Sequence, residues 1–120
     1  MGKRTGPTSL VLKKLIADLK SLSTKEKVKI WRTVANYLES SSRRRREVNL
    51  YKIEKYARDG ETVIVPGKVL SEGGLNKKLA VASFKFSESA KTKINKVGKA
   101  ISIQQLMKDN PKAKKVRILG

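Results

Sequence analysis

The spacing of apolar residues changes once along this chain, at a run of four consecutive arginines, Arg43 to Arg46. Before the run, Leu12, Leu15, Ile16, Leu19 and Leu22 recur at the three-and-four interval that builds one apolar helix face. Val28, Trp31, Val34, Ala35 and Leu38 repeat the pattern. After the run, apolar residues come in short blocks, such as Val63-Ile64-Val65 and Leu79 to Ala82, the lengths of strands. The fold must therefore join a helical first third to a remainder of short strands and helices, and 120 residues are enough for one domain with a core of its own.

Local signals divide this plan further. Residues 1–8, with Lys3, Arg4 and Pro7, have no periodicity and read as a basic arm, after which Thr8 or Ser9 offers a capping hydroxyl. Ser23 followed three residues on by Glu26 reads as a capping box, so that the two apolar stripes fold back as a helical hairpin over residues 9–39 with Trp31 in its core. A strand-helix core is predicted over residues 48–119. Val48 to Ile53 reads as a strand turning into a helix at Asn49, and Ile101 to Leu106 echoes it, with Ser102 and Gln105 as a second box; a repeat and a coincidence both fit.

Thr62 to Val65 is continuously apolar, as in a strand buried on both faces. Pro66-Gly67 predicts a type II turn from which Lys68 emerges. Gly73-Gly74 marks a loop with Lys77 and Lys78 at its exit. Leu79 to Phe86 is predicted as the longest strand, with Ala80, Ala82, Phe84 and Phe86 on one face. Ser87 should cap a helix from Glu88 to Val97, Pro111 should end the last helix, and Val116 to Leu119 should form a terminal strand. The class is α/β, a helical hairpin followed by short strands and helices, with basic terminal extensions.

Charge narrows the function. Twenty-nine Lys and Arg against ten Asp and Glu give +19, an excess that calls for a polyanionic partner. There is no Cys and no His, which removes thiol nucleophiles, imidazole catalysis and the usual zinc sites. A phosphate loop is missing too, since Thr62 stands where it needs glycine and Val69 where it needs a hydroxyl. Neither an enzyme nor a cofactor or metal is expected, and no apolar run approaches a membrane span.

Basic residues occur in arm, loops, helix faces and tail, so charge surrounds the fold instead of lining one groove. Trp31, Phe84 and Phe86 look internal and Tyr37, Tyr51 and Tyr56 half-buried, which leaves little for base stacking. The expected contact is with phosphate and ribose of folded RNA. Guanidinium forks match phosphates, which singles out Arg43, Arg44, Arg45 and Arg46. Charge alone adds Lys77, Lys78, Lys112, Lys114, Lys115 and Arg117. The alternative is a basic chromatin-type DNA-binding protein.

Several segments, in order and spacing, carry a resemblance. They are Gly6-Pro7-Thr8, Arg45 to Ile53, Val63 to Leu70, and Ala80 to Ser87 leading into Ala90-Lys91 and Lys93-Ile94. Through them the whole chain resembles large-subunit ribosomal protein eighteen of archaea and eukaryotes in its short archaeal form. The four-arginine run is denser than that family's pattern, and Gly73-Gly74 replaces a more acidic loop. The resemblance implies an α/β fold related to the bacterial large-subunit protein fifteen family, with an irregular β-β-α superhelical core. It also implies a structural component of the large ribosomal subunit that binds large-subunit ribosomal RNA in the cytoplasm beside neighbouring ribosomal proteins, without catalysis or cofactor. No membrane, small-molecule substrate or homo-oligomer is expected. By position the resemblance points to Lys3, Arg4, Arg43 to Arg46 and Lys68 as RNA contacts.

Overall fold

The structure, a computed structural model, describes residues 6–39 and 46–119. Helix α1 (Gly6–Glu26) and helix α2 (Lys29–Glu39) carry the two apolar stripes. α1 begins inside the segment expected to be a basic arm. Pro7 has no N–H to satisfy and its fixed φ suits a first helical turn, so Thr8 and Ser9 lie within the helix and not at the position that precedes it. The junction between the helices differs from the expected capping box as well. Lys27 takes a left-handed φ of 60°, the Val28 N–H returns to the Ser23 carbonyl at 3.1 Å, and the Ser23 hydroxyl donates to the Val28 carbonyl at 2.8 Å. The returning Val28 N–H satisfies the Ser23 carbonyl in the last turns of α1, so Ser23 finishes the first helix and does not open the second.

The remaining elements are β1 (Arg46–Asn49), α3 (Leu50–Tyr56), β2 (Thr62–Leu70), β3 (Ala80–Phe86), α4 (Glu88–Val97), β4 (Lys99–Ser102), α5 (Ile103–Asp109) and β5 (Val116–Ile118). All strand pairings are parallel, in the order β1-β2-β3-β4 with β5 also on β2. β2, at nine residues, is longer than the seven-residue β3 that was expected to be longest. One edge of β2 pairs with β3. Its other edge is divided, Thr62 to Ile64 going to β5 and Gly67 to Leu70 to β1.

Both faces of the sheet are covered, as a parallel sheet requires. Val63, Val65 and Val81 pack with Leu50 and Ile53 of α3 and Ala90 and Ile94 of α4. Ile64 and Ala82 pack on the other face with Leu15 and Leu19 of α1, Trp31 and Leu38 of α2, and Ile103 and Leu106 of α5. Thr62 to Val65 is thus the doubly buried strand its composition predicts. The connections carrying α3 and α4 advance across the sheet over one face, and α5 returns over the other, so every crossover keeps one hand. Trp31 is fully buried and its indole Nε1 donates to the Pro111 carbonyl at 2.8 Å, which ties α2 to the turn after α5.

Helix starts follow the predicted caps in part. Ser87 Oγ accepts from the Ala90 N–H at 3.2 Å and Ser102 Oγ from the Gln105 N–H at 3.0 Å. Gln105 does not complete a box, because its amide donates to Asp109 at 2.9 Å. Asn49 holds the cap position of α3 but turns its side-chain oxygen to the Glu72 N–H at 3.1 Å. At the end of α4, Gly98 lies so close to β3 that an added Cβ would sit 1.8 Å from the Leu79 carbonyl oxygen.

Pro66 and Gly67 do not turn the chain. They are buried within β2, and Gly67 has no positive φ to make a type II turn. Between Val65, opposite Ser83, and Lys68, opposite Lys85, β2 has two residues where β3 has one, so the pair forms a bulge. Proline, lacking a ladder donor, fits such a site. Buried Ser83 fastens it: its hydroxyl lies 2.8 Å from the Gly67 carbonyl and 2.7 Å from the Lys85 carbonyl, and accepts from the Lys85 N–H at 3.3 Å. Past this point β3 changes register, and the four residues expected on one face separate: Phe84 packs with Ala82, but Phe86 joins the opposite cluster.

Candidate nucleic-acid interface

Most of the acidic side chains are taken up by the fold, while Glu47, Glu72 and Glu88 stay exposed. Glu61 grips Arg117 with two bonds, Nε to Oε1 at 2.9 Å and Nη2 to Oε2 at 3.1 Å, and also accepts from the Arg58 N–H at 2.9 Å. The Arg117 side-chain bond, supported by the Arg58 N–H, holds the Glu61 carboxyl down at about 2, and Glu61 in turn raises the Arg117 guanidinium. Glu54 and Asp59 accept from the backbone N–H groups of Asn76 and Lys78, at 2.9 and 2.8 Å, and so fix the loop between β2 and β3. Asp18, Glu26 and Glu39 pair with Lys14, Lys112 and Lys20.

Some cations are also structural. Lys77 Nζ donates to the carbonyls of Glu54 and Ala57, closing the C-terminal end of α3, where a positive charge opposes the helix dipole. Lys93 Nζ bonds the Ser71 and Gly73 carbonyls at 3.0 and 3.2 Å. Of the residues singled out by sequence, Lys77, Lys112 and Arg117 are therefore engaged within the protein. Lys78, Lys114 and Lys115 are exposed, and Lys68 is half-buried on β2. Arg46 opens β1 opposite Gly67. Lys3, Arg4, Arg43, Arg44 and Arg45 lie outside the described residues.

The structure also gathers cations that sequence reading passed over. Lys85 stands directly opposite Lys68 across β2 and β3, two like charges with Glu47 on the far side of Lys68. Such neighbours repel unless an anion lies between them. The β3–β4 pairing ends at Ser83 and Ser102, and beyond it a cleft of about 250 Å³ is lined by Lys85 and Lys91. A second cleft, about 430 Å³, brings Lys78, Lys96 and Lys99 together. A third groove of about 530 Å³ between α1 and α5 has Leu22 and Met107 in its floor and Lys14, Lys25 and Lys108 at its rim. Positive charge thus occurs on several sides of the fold. Tyr51 and Tyr56, expected half-buried, are exposed by 56% and 50%. Among the described residues no group of carboxylates is placed to hold a metal ion.

This cationic α/β fold has a counterpart among known proteins. The model of the family described as Ribosomal protein 60S L18 and 50S L18e matches residues 2–120. The chain belongs to this family. Its relatives include the large ribosomal subunit protein eL18 of Methanosphaerula palustris, 49% identical over 118 residues that make up 98% of this chain and 95% of the relative. The eL18 protein of Haloarcula marismortui is 47% identical over 108 residues, 90% of this chain and 93% of its own, and that of Methanopyrus kandleri is 41% identical over 121 residues, 96% and 95%. The eL18 family consists of structural ribosomal proteins and not of enzymes.

Proposed function

We propose that this chain is a structural component of the large ribosomal subunit, in the cytoplasm, where it binds large-subunit ribosomal RNA through phosphate and shape contacts and steadies the folded RNA. Membership of the eL18 family over residues 2–120 carries this reading. The charge distribution supports it, because most carboxylates, Glu61 and Glu54 among them, are engaged within the fold while exposed lysines remain on several of its sides. A protein set into a crowded polyanion needs contacts in many directions, and each ammonium or guanidinium on a phosphate releases condensed counterions.

Lys68, Lys78, Lys114 and Lys115 act as direct phosphate contacts in this reading, together with Lys3, Arg4 and Arg43 to Arg46. Lys77, Lys112 and Arg117 contribute positive charge from positions their internal partners fix. The protein works as a single copy beside neighbouring ribosomal proteins. The finer architecture, a helical hairpin followed by turns of a β-β-α superhelix akin to the bacterial protein fifteen family, is supported by the joint packing of α1 and α2 and by two successive parallel strand-helix-strand units.

Sedimentation of a gentle lysate with and without RNase tests the proposal. The protein should travel with the large subunit and lose that position on digestion. With about six phosphate contacts, affinity for the isolated RNA should fall roughly a thousandfold between about 50 and 200 mM salt. Migration with chromatin, or a flat salt response, would overturn the reading.

A further inference from the structure

Helix α3 presents two tyrosines to solvent although it is well supplied with buried anchors. Leu50, Ile53 and Ala57 fill its inner side, while Tyr51 and Tyr56 are 56% and 50% exposed. The backbone beneath Tyr51 is held firmly. Its N–H donates to the Glu72 carbonyl at 3.1 Å, and Gly73 approaches so closely that an added Cβ would lie 2.7 Å from Tyr51 Cβ. Lys93 fastens this loop through the Ser71 and Gly73 carbonyls. The ring therefore projects from a fixed base.

The surroundings of the rings are cationic. Lys55 follows Tyr51 by one helical turn and Lys52 precedes Tyr56 by one turn, so both lysines lie between the rings on the outer arc. Lys55 Nζ sits 5.3 Å from the centre of the Tyr56 ring. Glu54, the carboxylate of this helix, is turned away to the Asn76 N–H at 2.9 Å.

A ligand suited to this surface has negative charge for the lysines and flat faces for the rings. Paired RNA supplies phosphates but hides its base faces in the stack. An acidic peptide supplies charge without a matching set of planes. An unpaired RNA strand supplies both. We infer that α3 is a stacking platform for unpaired bases, with Tyr51 and Tyr56 each taking a base and Lys52 and Lys55 the adjoining phosphates. The inference rests on the RNA-binding reading and adds to phosphate contact the recognition of single-stranded segments.

The test uses the full chain, a labelled ten-nucleotide oligoadenylate and a ten-base-pair RNA duplex, with binding read by fluorescence anisotropy at one fixed salt concentration. Tyr51→Ala combined with Tyr56→Ala should weaken the single strand by about thirtyfold or more, two stacked bases being lost, and leave the duplex unchanged. Tyr51→Phe with Tyr56→Phe should restore single-strand binding, since a phenyl ring still stacks. Equal losses on both probes, no loss on either, or failure of the phenylalanine pair to rescue would each overturn the platform. If the unaltered protein binds neither probe, the RNA-binding reading fails first, which separates the two conclusions. Intact RNA binding with lost entry into the large subunit would assign the tyrosines to a neighbouring protein and overturn the inference.

Discussion

Removing one hydroxyl should loosen the centre of the sheet. Ser83 is 2% exposed, and its hydroxyl meets the Gly67 carbonyl, the Lys85 carbonyl and the Lys85 N–H. Ser83→Ala creates almost no cavity, so its cost is that of polar groups left without a partner. Lys85 is itself exposed, so its backbone is within reach of water, whereas Gly67 is buried and its carbonyl is not. One orphaned buried carbonyl costs about 2 kcal/mol. For a domain of this length the unfolding entropy is about 0.25 kcal/mol per degree, so the thermal midpoint should fall by about 8 °C. Circular dichroism melting measures the shift. Because the same hydroxyl fastens the bulge that sets Lys68 opposite Lys85, RNA affinity should fall in the variant even well below its midpoint. A midpoint within about 2 °C of the unaltered protein would refute the role given to the Ser83 hydroxyl.

Two further perturbations address the packing and the ion pair. Gly98→Ala would drive a methyl group into the Leu79 carbonyl, and a rigid backbone neighbour cannot yield as a side chain can; a loss above about 2 kcal/mol in urea titration is expected, and a neutral outcome would contradict the close approach. The Glu61 carboxyl is held at about 2 against an ordinary 4.5, so the unfolded chain takes up its proton first as the pH drops. Its contribution to stability is complete above about pH 4.5 and disappears as the pH falls toward about 2. Glu61→Gln should flatten the decline of the midpoint across that window, followed by the fluorescence of Trp31, and parallel profiles for the two proteins would count against the pairing.

Sequence made the elements legible where the signal was local. The Trp31 stripe, the Ser87 and Ser102 caps and the doubly apolar Val63 to Val65 segment each state their role within a few residues, and the structure agrees. Pro66-Gly67 misleads because its turn chemistry is overruled from outside, by β1 and β3 pairing on either side of it. Ser23 and Glu26 have the spacing of a capping box, but the left-handed Lys27 that decides the matter gives no sign in its side chain. The candidate site was legible as charge and not as geometry. Arg117 reads as a free cation, yet its partner Glu61 is 56 residues away in sequence, and Lys77 finds the Glu54 carbonyl 23 residues away. Lys85 between two phenylalanines was the available hint of the cleft beyond β4. The exposed tyrosines had none, because exposure on α3 depends on which of its sides the sheet buries.

The divided edge of β2 has a consequence for the protein before it meets any RNA. A long unpaired strand edge is a template on which a second chain can add, and a newly made, surplus basic protein is exposed to that hazard. Here the long strand is covered on one side in two short pieces, and the proline at their junction withholds a donor. The strands that cover it, β1 and β5, are four and three residues long, and β4 at the opposite margin has four. Each offers too few unpaired groups to start a fibre, so the sheet is finished in a way that resists aggregation while the chain waits for its partner.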